Sequence, residues 1–389
     1  HRRLSDDDVF QLHFNPLFLA GGMMTAGRVL LFASLFVLTA CGPQEPIRLG
    51  FIGGLSGRVA DLGEAGRNGA QIAIDEINLA GGIAGHKVEL LVRDDEQSPE
   101  KAIAVTQELL ALHVEAIIGP MTSAMAEAIA PISENEGVVL VSPTVTARKF
   151  FGRVDNLFLI MSSTRVDAGL SASFHYNQSG FRRVAAIYDM KNRAYTESWL
   201  EDFTAPFQEL SGKVMPVPFL SSPATNYAEI ADKALESRPD AILLIAGAAD
   251  AAKLAQKFRE RDQQVAMFAS QWATTERLIE YGGKAVEGMY LHNYADRWSE
   301  APRMQALRAV YRDRYQRDPG FAGVAGYDAA SVILDAMSRR REKQSLREVL
   351  LANEPFPGAE GAIVFDRFGD SARVPHITVI RGGEFISLQ

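Results

Sequence analysis

The sequence predicts an α/β protein made of two doubly wound parallel sheets. Three observations carry this. Apolar runs of strand length alternate with segments of helical apolar spacing. The alternation stalls after Thr146 and restarts as a second unit of similar size. Two neighbouring strands also release a small hydroxyl residue at what must be the same sheet edge, Ser123 and Thr146.

Taken in order, Ile47–Gly53 reads as the first strand and Gly54-Leu55-Ser56-Gly57 as its loop. Arg67–Leu79 has Ala70, Ile74 and Ile77 on one helical face and stops at Gly81-Gly82. Val88–Val92 is the second strand, Asp94–Pro99 a polar loop and Pro99–Leu112 a helix. Ala116–Gly119 is a short apolar run closed by Gly-Pro, as a buried parallel strand should be. Ala124–Glu134 repeats Met125, Ile129 and Ile132 at helical spacing, with Thr122 and Ser123 placed to cap its first turn. Val138–Val141 is the next strand, closed by Ser142-Pro143. In the second unit, strands are expected at Val184–Tyr188, Val214–Phe219, Ala241–Ile245 and Val265–Ala269. Helices are expected at Thr196–Leu210, Tyr227–Glu236 and Ala251–Arg261. The chain then returns to the first lobe near Tyr294, adds helices Pro302–Gln316 and Asp328–Arg340, and ends in short strands at Ile363–Phe365 and His376–Ile380.

In an open α/β sheet, ligands bind beyond the carboxyl ends of the strands. A helix N-terminus at that edge presents free N–H groups and a positive dipole end to an anion. The stretch Glu115–Thr146 therefore reads as a seat for a carboxylate-sized group, with a helix cap and a turn as the plain alternative for Ser123 and Thr146.

Composition narrows the function. Hydrophobic residues at 47% and charged residues at 23% are globular values, and the net charge of −8 gives no basic footprint for nucleic acid or an anionic membrane. Seven His and one Cys form no set with metal-ligand spacing, and no nucleophile, phosphate-loop or zinc-protease motif occurs. The expectation is a binding protein without metal or cofactor, not an enzyme.

The first 22 residues read as translated upstream sequence, with the start at Met23 or Met24. Arg28, the apolar run Val29–Leu38 and the small residues that follow describe a secretory signal too short to span a bilayer. Leu38-Thr39-Ala40-Cys41 resembles a bacterial lipobox, and Cys41 is the only Cys in the chain. A lipid on Cys41 would anchor the protein in the cell envelope, facing the periplasm, with Gly42–Pro46 as tether.

The short strings GGLSG (Gly53–Gly57), Asp75-Glu76-Ile77-Asn78 with Gly81-Gly82-Ile83, Asp94-Asp95 before Pro99, IIGP (Ile117–Pro120), EGVVLVSP (Glu136–Pro143) and VEGM (Val286–Met289) together carry a resemblance. From Ile47 to its end the chain resembles type I periplasmic binding proteins of the leucine/isoleucine/valine branch. That resemblance implies two Rossmann-like lobes, 47–165 with 294–366 and 166–293 with 367–389, after a 1–40 signal segment and a 41–46 tether. It implies hinge crossovers near Arg165, Tyr294 and Asp366, and a ligand clamped between the lobes for delivery to an ABC permease in the inner membrane. An amino acid, a related small carboxylate or an amide is the implied ligand. Ser123 and Thr146 match the carboxylate-holding hydroxyls, and the backbone near Thr144 the carbonyl that meets the ammonium group. Tyr195 matches an aromatic lid, with surface packing as its alternative, and Asp167 an acid of the second lobe, with a helix cap as its alternative. The position of the family's second-lobe countercharge falls on neutral Gln271, beside Trp272, which reads as cleft wall or as core. Ala248 stands about where branched-chain binders carry a wall tyrosine, which predicts a wider pocket. An envelope lipoprotein that regulates an enzyme through the same fold is the other reading.

Overall fold

The computed structural model describes residues 44–296 and 298–388; the lipobox and Cys41 lie outside the described residues. The first sheet is parallel throughout, in the order β2 (Val88–Asp94), β1 (Ile47–Gly53), β3 (Ala116–Ile118), β4 (Val139–Ser142), β5 (Leu157–Leu159). Helices α1 (Ala60–Leu79), α2 (Pro99–Ala111) and α3 (Ser123–Glu136) connect its strands. Every residue of β3 and β4 is buried, which explains their unbroken apolar runs.

The second sheet is built from β6 (Arg183–Asp189), β7 (Lys213–Phe219), β8 (Ala241–Ile245), β9 (Ala266–Ala269) and β10 (Tyr290–Asn293), joined in parallel. Its helices are α4 (Thr164–Asn177), α5 (Arg193–Glu209), α6 (Tyr227–Glu236), α7 (Ala248–Arg261) and α8 (Glu276–Gly282). After α9 (Pro302–Tyr315), α10 (Phe321–Arg339) and α11 (Leu346–Leu350), a two-stranded ribbon pairs β11 (Phe356–Pro357) with β12 (Ala362–Ile363). Strands β13 (His376–Arg381) and β14 (Glu384–Ser387) then close the second sheet as an antiparallel edge. Just before them, Gly369 and Ser371 still hydrogen-bond to Leu159 at the edge of the first sheet.

Several elements depart from the sequence reading. Helix α1 begins at Ala60, two turns before Arg67, through Gly63 and Gly66. Helix α10 begins at Phe321, not Asp328, because the buried run FAGVAGY offers no polar face to mark it. Strand β5, helix α4 and strand β14 went unseen. The expected caps of α3 are also absent. Thr122 occupies the N-cap position without a side-chain cap bond; its hydroxyl donates to Gln97 Oε1 at 3.0 Å instead.

The loop after β2 is pinned by two acids. Asp94 Oδ1 accepts from Leu55 N–H at 2.8 Å and Glu96 N–H at 2.9 Å. Asp95 is fully buried, accepts from the Gln97 backbone and side chain through Oδ1, and leaves Oδ2 unpartnered; burial pushes its carboxyl up to about 6. Because the folded value is raised, Asp95 supports the fold fully below its ordinary value. That support is lost as pH climbs from about 4 to about 6 and stays lost above. Denaturant unfolding at pH 4, 5, 6 and 7 is expected to show Asp95→Asn losing less stability across this window than the parent, by on the order of 2 kcal/mol. Parallel curves would refute it.

Candidate ligand-binding site

The carboxyl ends of both sheets face one cavity of about 310 Å³, counting its mouth. From the first lobe come the hydroxyls of Thr122, Ser123, Thr144 and Thr146 and the apolar surfaces of Leu62, Met121, Met161 and Phe321. Asn192, Tyr195, Gln271 and Trp272 come from the second. Among the described residues that line it, none carries a charge.

The first-lobe wall rests on one tight turn. At Gly119 φ is +125°, and a Cβ there would stand 2.3 Å from Ile52 O, so only glycine lets the chain leave β3 beside β1. Beyond Pro120 the N-terminus of α3 points into the cavity without a cap from its own sequence. Asn192 Oδ1 accepts from Ala124 N–H at 3.1 Å across the cleft. Ser123 is buried, and its Oγ accepts from Ala147 N–H at 3.3 Å, which leaves the hydroxyl proton free to donate. Thr144 is in the opposite state: its hydroxyl donates to Met121 O at 2.5 Å, so towards a ligand it can only accept. Thr146 is held beside them, its carbonyl accepting from Thr164 N–H at 2.8 Å.

Opposite, Gln271, Trp272 and Ala273 form one helical turn just after β9. The Tyr195 ring meets Trp272 edge-on, with centroids 5.8 Å apart and planes at 81°. Gln271 Nε2 is buried without a hydrogen-bond partner in the protein, and the buried Tyr195 hydroxyl lies beside the Ser270 hydroxyl and the Trp272 backbone. Burial, and then the nearby Asp167 charge, raise the Tyr195 phenol, so it stays protonated. A buried polar group left without a partner, as Gln271 Nε2 is, is ordinarily satisfied by something else.

Six of the seven predicted ligand-binding residues thus converge: Ser123, Thr144, Thr146, Tyr195, Gln271 and Trp272. Asp167 is not among the lining residues. Its Oδ2 accepts from the Trp199 indole N–H at 2.7 Å, and its Oδ1 is bonded to His292 Nδ1. Ala248 is buried at the start of α7 and is not among the lining residues; the Trp272 indole, packed on Gly247, makes wall there. Sequence reasoning missed Asn192. It lies just after β6, at the same end of the second sheet as Gln271, and the strand-end rule applied to β6 marks it.

Around the cavity the lobes meet through polar contacts. Arg58 reaches across to Asp250 and the Tyr227 hydroxyl, and Tyr227 in turn bonds Asp250. Thr275 donates to Asp61, whose carboxyl is raised by burial. Arg148 contacts Asp202 and Glu201, and its N–H donates to Ser198 Oγ at 3.0 Å.

Residues 46–375 match the family model described as periplasmic binding protein. The chain belongs to that family. Among curated relatives, the leucine-, isoleucine-, valine-, threonine- and alanine-binding protein of Pseudomonas aeruginosa is 22% identical over 84% of this chain and 87% of its own length. A Leu/Ile/Val-binding protein of Rhizobium johnstonii is 32% identical over 45% of this chain and 48% of its own. A leucine-binding protein from Thermotoga maritima superposes with a TM-score of 0.81 at 27% identity, covering 88% of this chain and 98% of the other. A solute-binding protein from Rhodopseudomonas palustris, solved with benzoate, shares the fold at a TM-score of 0.80 and 17% identity, covering 88% and 95%. The family's two-lobed fold accounts for the cavity's position between the sheets, and its members bind solutes for ABC transporters; this chain is a substrate-binding protein of that kind, not an enzyme.

Proposed function

We propose that this protein is a lipid-anchored solute-binding protein of an ABC importer that clamps a small carboxylate-bearing solute, an amino acid or a related compound, between its lobes. The observation that carries the reading is Ser123: a buried hydroxyl with its proton free, at a helix N-terminus whose own N-cap residue makes no cap bond, lining one cavity with Tyr195 and Gln271. In this reading Ser123 and Thr146 hold the carboxylate, and Thr144, Tyr195, Gln271 and Trp272 surround the rest of the ligand. Asp167 acts from behind, keeping Trp199 and His292 in place. The anchor is supported by the lipobox ending at Cys41 and the permease partner by the family. A regulator acting only through protein contacts has no use for hydroxyls converging on one small cavity.

Two measurements test this. A thermal-shift screen against amino acids, amides and aromatic acids should find a stabilising ligand; a screen without one refutes the solute-binding reading. Mass spectrometry of the mature N-terminus should find Cys41 acylated, and a free thiol there would remove the anchor.

The clamp has its own consequence. Crossovers near Arg165, Tyr294 and Asp366 serve as hinge, and Arg58 with Asp250 serves as a latch. Arg58→Ala leaves the buried Asp250 with only Tyr227 among these partners, which disfavours the closed form. Affinity for a ligand found by screening should fall about tenfold, and small-angle scattering should report a larger ligand-free particle than the parent. Unchanged affinity and dimensions would show that the contact is incidental.

A further inference from the structure

The charge of the cavity says more about the ligand than its shape does. An α-amino acid brings a carboxylate and an ammonium group, and each needs a partner once water is excluded. The carboxylate has one, in the α3 N-terminus and the Ser123 hydroxyl. The ammonium has no countercharge among the described lining residues. None of the described lining residues is acidic, and the position facing the seat is Gln271. Asp167 is not among the lining residues: its oxygens bond the Trp199 indole and His292 Nδ1. Thr144 can accept one hydrogen bond and the Trp272 face can attract a cation, but neither neutralises the charge, and an unpaired buried charge is far more costly than either gain.

We infer that the cavity selects a small carboxylate without an ammonium group, whose apolar or aromatic body lies against Trp272 and Phe321. A neutral hydroxyl or carbonyl on that ligand would meet Gln271 and Tyr195. This rests on the reading that a carboxylate sits at Ser123 and Thr146. The unpartnered Gln271 amide nitrogen supplies the independent support, because a neutral oxygen satisfies it and it requires no charge.

Matched pairs that differ only at the α position test it: leucine against 2-hydroxyisocaproate, and phenylalanine against 3-phenyllactate, by calorimetry on the purified protein at neutral pH. For the pair that binds, the hydroxy acid is expected to bind at least tenfold more tightly than its amino acid. Gln271→Glu, confirmed folded by its thermal melt, should narrow or reverse that ratio by about tenfold. An amino acid that binds the parent as tightly as its hydroxy partner, and loses affinity with Ser123→Ala, overturns this inference and leaves the carboxylate seat standing. Binding by no member of either pair, with an amide or another neutral solute bound instead, overturns both.

Discussion

Gly69→Ala is expected to unfold the first lobe at a temperature about 6–12 °C below the parent. Helices α1 and α10 cross so closely that each turns bare backbone to the other. A Cβ on Gly69 would stand 1.9 Å from Gly323 O, and one on Gly326 would stand 2.1 Å from Gly66 O. The obstacle in both cases is main chain, which cannot rotate away as the end of a side chain can. Overpacking a core costs about 1–3 kcal/mol and sometimes more. Forcing two buried helices apart belongs at the upper end, since almost every residue of α10 is buried. At about 2–4 °C per kcal/mol for a protein above 150 residues, the shift is large. The effect should reach the cleft as well, because Phe321 at the start of α10 and Leu62 near the start of α1 both line the cavity. Gly169→Ala provides the contrast. Gly169 is also helical, in α4, but a Cβ there would meet nothing within 4 Å. With only helix propensity at stake, that variant should gain up to about 1 kcal/mol. Two melting curves displaced in opposite directions are the expected result. A Gly69→Ala protein as stable as the parent would mean that α1 and α10 do not pack this way.

The same glycines explain part of what the sequence hid. Gly63 and Gly66 make the first two turns of α1 read as loop, although both are there for close packing: a Cβ on Gly63 would stand 2.1 Å from Gly54 O. Strands β3, β4 and β8 were legible because burial on both faces leaves a nearly unbroken apolar run. Strand β5, at three residues, is too short for any periodicity, and α4 mixes polar and small residues along its length. At the site, Ser123 and Thr146 were legible because strand ends can be read from sequence. The fate of the Asp167 carboxylate was not, because its partner His292 lies 125 residues away. Nor does spacing reveal hydroxyl direction. The difference between Ser123, whose proton is free, and Thr144, whose proton is spent on Met121 O, exists only once the loops after β3 and β4 are packed together.

That difference makes the hydroxyl variants informative. Ser123→Ala removes the donor assigned to the proposed carboxylate seat and leaves Ala147 N–H without its acceptor. Thr146→Ala removes the second hydroxyl of the seat. Hydrogen bonds to a charged group are worth roughly 1.5–3 kcal/mol, so each variant should weaken a carboxylate ligand by about one to two orders of magnitude. Thr144→Ala should cost less, since its hydroxyl proton already serves Met121 O and the carboxylate needs donors. An analogue whose carboxylate is replaced by a methyl group should bind the parent weakly and be indifferent to Ser123→Ala and Thr146→Ala, because neither hydroxyl then has a charged partner. Calorimetry with both ligands on the four proteins separates the roles. If Ser123→Ala and Thr146→Ala bind the carboxylate as tightly as the parent, the helix N-terminus does not hold it, and Ser123 serves only to bind Ala147 and join two loops.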